Sequence, residues 1–223
     1  MVAPSKLRFN FTVGIAEQIS SLKRDYPELA NCELSIDPGR TIIPDGYVAI
    51  VVPDHKLISG TYSGAFRRSI EVMHQHRPDY DPDQSCQILF DETNMKLTSK
   101  TEGFFEEVRR TQKGLFLLLV NNNGHHVGGN PVVTQRIIES YDEIDAGPFL
   151  VANLLRHNKL LASFLEMFID CPAARVSVPN GRPFGSIISF HRSRKRLLIE
   201  TNPGYQKHPH YGPLPIRIPK LRK

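Results

Sequence analysis

Two short apolar runs constrain this chain more than any other feature. Residues 115–120 read Leu-Phe-Leu-Leu-Leu-Val, and residues 48–52 read Val-Ala-Ile-Val-Val. Each is too short for a buried helix and too continuous for a strand with one wet face. Each is therefore expected to be a strand covered on both sides, which requires helices on either face of a sheet. The chain has the material for this: of its 223 residues 40% are hydrophobic and 23% charged, a composition that excludes wholesale disorder.

The other segments follow the same logic. Ile15, Ile19 and Leu22 recur at helical spacing, so a helix is expected from Ile15 to Tyr26. A short strand over 32–36 ends at Asp37-Pro38-Gly39, and the β-branched stretch 41–52 reads as one strand. Helices are expected over 63–76, over 98–112 with Thr98 or Ser99 as cap and Gly114 as stop, over 131–141, and over 149–170. A strand over 87–90 should lie beside 48–52 and 115–120 in one sheet. Further strands are expected over 175–178, 186–190 and 196–200. From residue 201 onward the prolines at 203, 209, 213, 215 and 219 suggest an extended, irregular tail with little share in the core. The fold class is thus α/β: a mixed central sheet flanked by helices, with a small β-rich, basic C-terminal extension. The division expected is a core over 1–172 and an extension over 173–223.

No apolar run approaches the roughly 18–20 residues of a membrane helix, so no membrane partner is expected. Cys32, Cys86 and Cys171 are odd in number and unclustered, which argues against a disulfide scaffold or zinc knuckle. With no signal-peptide pattern behind Met1, an intracellular protein is expected, cytoplasmic or in the nucleoid or nucleus.

Charge is distributed unevenly. After residue 181 there are ten Lys or Arg and one acid, Glu200, a net +9 against +5 for the whole chain, so residues 1–181 carry −4. A basic end on an acidic body points to a polyanion, nucleic acid above all. The densest cluster, Arg192, Arg194, Lys195 and Arg196, falls between two expected strands, where a hairpin would grip phosphates without reading sequence. Lys220, Arg222 and Lys223 extend the surface at the C-terminus.

The most distinctive phrase is Arg40-Thr41-Ile42-Ile43-Pro44-Asp45-Gly46-Tyr47-Val48-Ala49-Ile50. With the strand–helix–strand order that follows, it resembles the restriction-endonuclease-like superfamily, whose signature is Pro-Asp followed by (Asp or Glu)-x-Lys. Within that superfamily it is most similar to the plasmid replication-relaxation and mobilisation family. The resemblance covers roughly residues 15–120. It implies phosphodiester hydrolysis with magnesium, because converging carboxylates hold a hard cation that lowers the pKa of the attacking water. Asp45 then takes the first acidic position. The second falls to Glu92, or to its neighbour Asp91, with Lys96 assisting and Glu17 as a further metal ligand.

Asp54-His55-Lys56 matches Asp-x-Lys by letter. A continuous strand over 41–52 would set Asp54 on the order of 30 Å from Asp45, so it is set aside. The spacing from Asp91 or Glu92 to Lys96 departs from the signature, as a binding-only relative would. An aspartate before a glycine is also an ordinary turn residue. Two functions follow: a magnesium-dependent nuclease-like domain, or a non-enzymatic nucleic-acid-binding or assembly subunit with protein partners, acting through its basic C-terminal region.

Overall fold

The two apolar runs pair with each other. The computed structural model describes residues 13–81, 92–121, 130–139, 142–157, 168–178, 181, 183–193, 196–204 and 211–222. In it β2 (Tyr47–Pro53) and β4 (Leu115–Asn121) lie antiparallel, with Val48 opposite Val120 and Val52 opposite Phe116. Both faces are covered, as their apolar continuity demands. Ile50, Val52, Phe116, Leu118 and Val120 enter one large core, while Val51, Leu115 and Leu117 alternate into a smaller one beneath α1 (Ile15–Asp25). The expected neighbour over 87–90 lies outside the described residues.

The edge of β2 is closed by a side chain. Gln18 of α1 is buried; its Oε1 accepts from Val51 N at 2.8 Å and its Nε2 donates to Ala49 O at 3.4 Å. These bonds satisfy strand groups that no strand among the described residues reaches.

The stretch 41–52 is two strands. Pro44-Asp45-Gly46 forms a turn closed by Tyr47 N to Pro44 O at 3.1 Å, with Gly46 at φ +80°. That backbone conformation is open to glycine at little cost, and it separates β1 (Thr41–Ile42) from β2.

Helices α2 (His55–Ile58) and α3 (Tyr62–His76) follow, then β3 (Met95–Leu97) and α4 (Ser99–Thr111). Thr98 caps α4, accepting from Thr101 N, as its sequence suggested. After β4 come α5 (Pro131–Glu139), β5 (Ile144–Asp145) and α6 (Pro148–His157), which packs on α3. The helix expected over 149–170 is shorter than that, because Phe168 already begins β6 (Phe168–Val176). The apolar spacing of 149–170 suits a helix, yet its last residues pair with Tyr211, Gly212 and Pro213 on one side and, through Ile169 and Asp170, with Phe190 and Ser189 on the other. Partner strands overrode local periodicity. The strand expected over 32–36 is reduced to a single bridge between Leu34 and Leu115.

The fold is mixed α/β, and three sheets carry it among the described residues. One has the order β2-β4-β10-β5, where β10 is Pro215–Arg217. The second has the order β3-β6-β7-β8, with β7 spanning Ser186–Ser193 and β8 spanning Arg196–Pro203; β9 (Tyr211–Pro213) joins β6 in parallel. The third is the antiparallel pair of β1 with β11 (Lys220–Leu221).

The C-terminal segment departs most from expectation. It is a set of short strands, and β10 is interior: Ile216 faces Val120 on one side and Ile144 on the other and is fully buried. Pro213 and Pro215 are accommodated because β9 and β10 are only three residues long, so few ladder donors are lost. The boundary expected between 172 and 173 falls inside β6. There Pro172 lies where the β6–β7 register shifts, between Cys171 and Val176. The large core draws side chains from both sides of that point. Among the described residues no helix is long and apolar enough to cross a membrane.

Candidate nucleic-acid interface

The β1–β11 ribbon brings together residues about 180 positions apart in the sequence. Asp37 caps a short 3-10 turn, Pro38–Arg40, by accepting from Gly39 N at 2.8 Å, and this turn delivers Arg40 to the start of β1. Thr41 lies opposite Leu221 and Ile42 opposite Lys220. Arg222 N then donates to Arg40 O at 2.7 Å, and Arg40 Nη2 donates to Arg222 O at 3.1 Å. Arg40, Lys220 and Arg222 are thus held on one paired element and all are exposed. Beside them Ile42, Ile43 and Leu221 are 43%, 49% and 43% exposed.

Next to the ribbon, the guanidinium of Arg217 in β10 stacks over the Tyr47 ring at 4.0 Å. The Tyr47 hydroxyl donates to Glu143 Oε1, and Asn121 Nδ2 donates to the same oxygen at 3.3 Å. Burial, reinforced by the Glu143 carboxylate, pushes the Tyr47 hydroxyl up to about 12. Arg217, Lys220, Glu143 and Lys100 all line one cavity of about 670 Å³.

The residues expected at a metal centre are distributed differently. Asp45 is exposed in the turn ahead of β2, and Glu17 is exposed on α1. Lys96 is exposed on β3, in the second sheet, opposite Arg175. Glu92 opens the short 3-10 turn before that strand, and Asp91 lies outside the described residues. Among the described residues, no group of three or more His, Cys, Asp or Glu is arranged to hold a metal ion.

In the basic cluster, β7 and β8 form the expected antiparallel pair, with Ser193 opposite Arg196. Arg196 is drawn onto Asp81, and the backbone of Arg192 lies opposite Leu197. Arg194, Lys195 and Lys223 lie outside the described residues.

Asp54-His55-Lys56, set aside on strand geometry, builds a second cleft. Asp54 caps α2 and binds Arg109 of α4 at two points, Nε to Oδ2 at 2.9 Å and Nη2 to Oδ1 at 2.7 Å. His55 is buried edge-on against Tyr62 and Phe105, with ring centroids 5.2 and 5.0 Å away. Burial, aided by the Arg109 charge, lowers its pKa to about 4. Lys96 lines the same cavity, of about 420 Å³.

Sequence reasoning missed Tyr47, Asn121, Glu143 and Arg217 as a unit. Tyr47 stood in the most distinctive phrase, but nothing in the sequence announced that Arg217 and Glu143 would meet it. Comparison with models of known protein families, with curated proteins and with solved structures finds no match.

Proposed function

We propose that the protein is a nucleic-acid-binding subunit that grips phosphates through the β1–β11 ribbon. The observation that carries this is the pair of backbone-anchored bonds between Arg40 and Arg222, which hold the tail charges on a fixed element. Cations held in place lose less conformational freedom on binding than cations on a free tail. The exposed isoleucines beside them offer apolar contact for sugars and bases.

The test is a salt titration of the full chain on one labelled oligonucleotide, compared with the triple variant Arg40→Ala, Lys220→Ala, Arg222→Ala. The slope of log affinity against log salt should fall by at most about 2.7 on duplex DNA, or about 2.1 on a single strand. Equal slopes would mean that these charges never meet phosphate.

The competing reading is a magnesium-dependent nuclease using Asp45, Glu92 and Lys96. Its support is the Pro-Asp phrase and the order of elements after it. Magnesium-dependent cleavage of any DNA or RNA, abolished by Asp45→Ala, would decide in its favour.

A further inference from the structure

The cavity beside the ribbon has a chemistry that phosphate gripping does not use. Glu143 is only 3% exposed, yet it lines the cavity. Its two described hydrogen bonds, from Tyr47 and Asn121, both fall on Oε1. Oε2 is therefore an acceptor in a carboxylate whose orientation is already set. Phe104, Ile144 and Ile218 supply apolar wall, and the volume of about 670 Å³ is of the size that takes a small ligand.

The cavity and the ribbon are continuous, since Lys220 belongs to both. The charges lining the cavity nearly balance: Glu107, Glu139, Asp142 and Glu143 stand against Lys100, Arg217 and Lys220. Lys100 donates to the Glu139 carbonyl at 3.0 Å and lies 3.8 Å from its carboxylate, so it answers part of that charge. A phosphate set against Glu143 would be repelled by its carboxylate. A neutral ring bearing N–H donors would not, and its phosphates would fall to Lys220 and Arg222 outside.

We infer that this cavity receives one unstacked guanine of a bound single strand, with its Watson–Crick N–H edge against Glu143 Oε2. Guanine fits because that edge carries adjacent donors, the ring N1–H and the 2-amino group, whereas uracil sets its one N–H between two carbonyls that would face the carboxylate. Single-strand recognition of this kind, with phosphates positioning and a base edge specifying, is how RNA-binding proteins read splayed bases. The inference rests on the nucleic-acid reading above and adds its substrate class.

The experiment is fluorescence polarisation of the full chain on three labelled oligouridylates at one salt concentration. The first is unsubstituted, the second carries a single central guanosine, and the third has inosine in its place. The guanosine strand should bind about 10- to 100-fold tighter than the unsubstituted one, the range expected for hydrogen bonds to a buried charge. Inosine, which lacks the 2-amino group, should fall between. Glu143→Gln should erase the difference while preserving salt-dependent binding, and Lys220→Ala should weaken all three strands alike.

Equal, salt-dependent affinity of the wild-type protein for all three strands would overturn the guanine pocket and leave the ribbon reading standing. That comparison needs no variant, so it holds even if Glu143→Gln fails to fold. If no strand binds, the ribbon reading fails, and calorimetry with guanosine monophosphate on the same protein decides the pocket. Binding there, lost in Glu143→Gln, would uphold the Glu143 contact. No binding would overturn it.

Discussion

Replacing Ile216 with alanine asks whether the proline-rich end is part of the core. Ile216 is fully buried and sits between Val120 and Ile144 in the sheet order β4-β10-β5. The change removes three carbons, about 2.4 kcal/mol at roughly 0.8 kcal/mol per buried methylene. The cavity left between two fixed strands adds to this, for a total loss of about 3–4 kcal/mol. In a domain of this size each kcal/mol lowers the melting temperature by about 2–4 °C, so a fall of about 6–16 °C is expected. The assay is thermal melting followed by circular dichroism, with Leu221→Ala as control. Leu221 is 43% exposed, and its truncation should cost less than about 0.5 kcal/mol. A melting temperature for Ile216→Ala within about 1 °C of the wild type would refute the placement of β10 in the core. Deleting residues 211–223 removes β9, β10 and β11 together and should abolish cooperative melting.

Two buried groups make stability depend on pH with opposite signs. Burial raises the Asp170 carboxyl to about 7, against the favourable bond from Ser189 Oγ at 2.7 Å. The folded state therefore holds a proton that the unfolded state releases. This stabilisation is full below about 4 and is lost as pH rises through 7, so Asp170→Asn should gain on the wild type by up to about 4 kcal/mol between pH 4 and pH 8 in chemical denaturation. His55 acts in reverse: with its folded pKa lowered to about 4, the unfolded state takes up the proton first, and stability falls as pH drops from 6.5 towards 4. His55→Phe should flatten that acid limb, and an unchanged slope would mean the ring is not buried neutral. Arg109→Ala leaves the buried Asp54 carboxylate without its two-point partner and should cost about 2–4 kcal/mol in the same assay, whereas a loss under about 0.5 kcal/mol would show that the pair carries no weight.

Local pattern was sufficient for much of the fold. The alternation of residues 48–52 and 115–120 between two cores follows from their continuous apolar character, because a strand with period two must bury both faces when both are apolar. The start of α4 was legible because Thr98 can satisfy an orphan backbone N–H from its own side chain. These are short-range effects, decided by residues within a few positions of one another.

What escaped the sequence is long-range pairing. Phe168–Val176 is a strand because β7 and β9 flank it, although its first residues continue a helical stripe. The C-terminal prolines suggested loose chain, because a proline lacks a backbone donor. A strand of three residues between two others needs few donors, and Ile216 gains full burial there. The ribbon and the cavity are of the same kind. Arg40 meets Arg222 only because β1 pairs with β11, and Tyr47, Glu143 and Arg217 meet only because β10 enters between β4 and β5. The sequence by itself determined that the chain carries a basic end, two doubly buried strands and the helices to cover them, since charge and periodicity are local properties. Which charges stand together, and against which carboxylate, was decided only when sheet hydrogen bonds closed loops of about 70 to 180 residues.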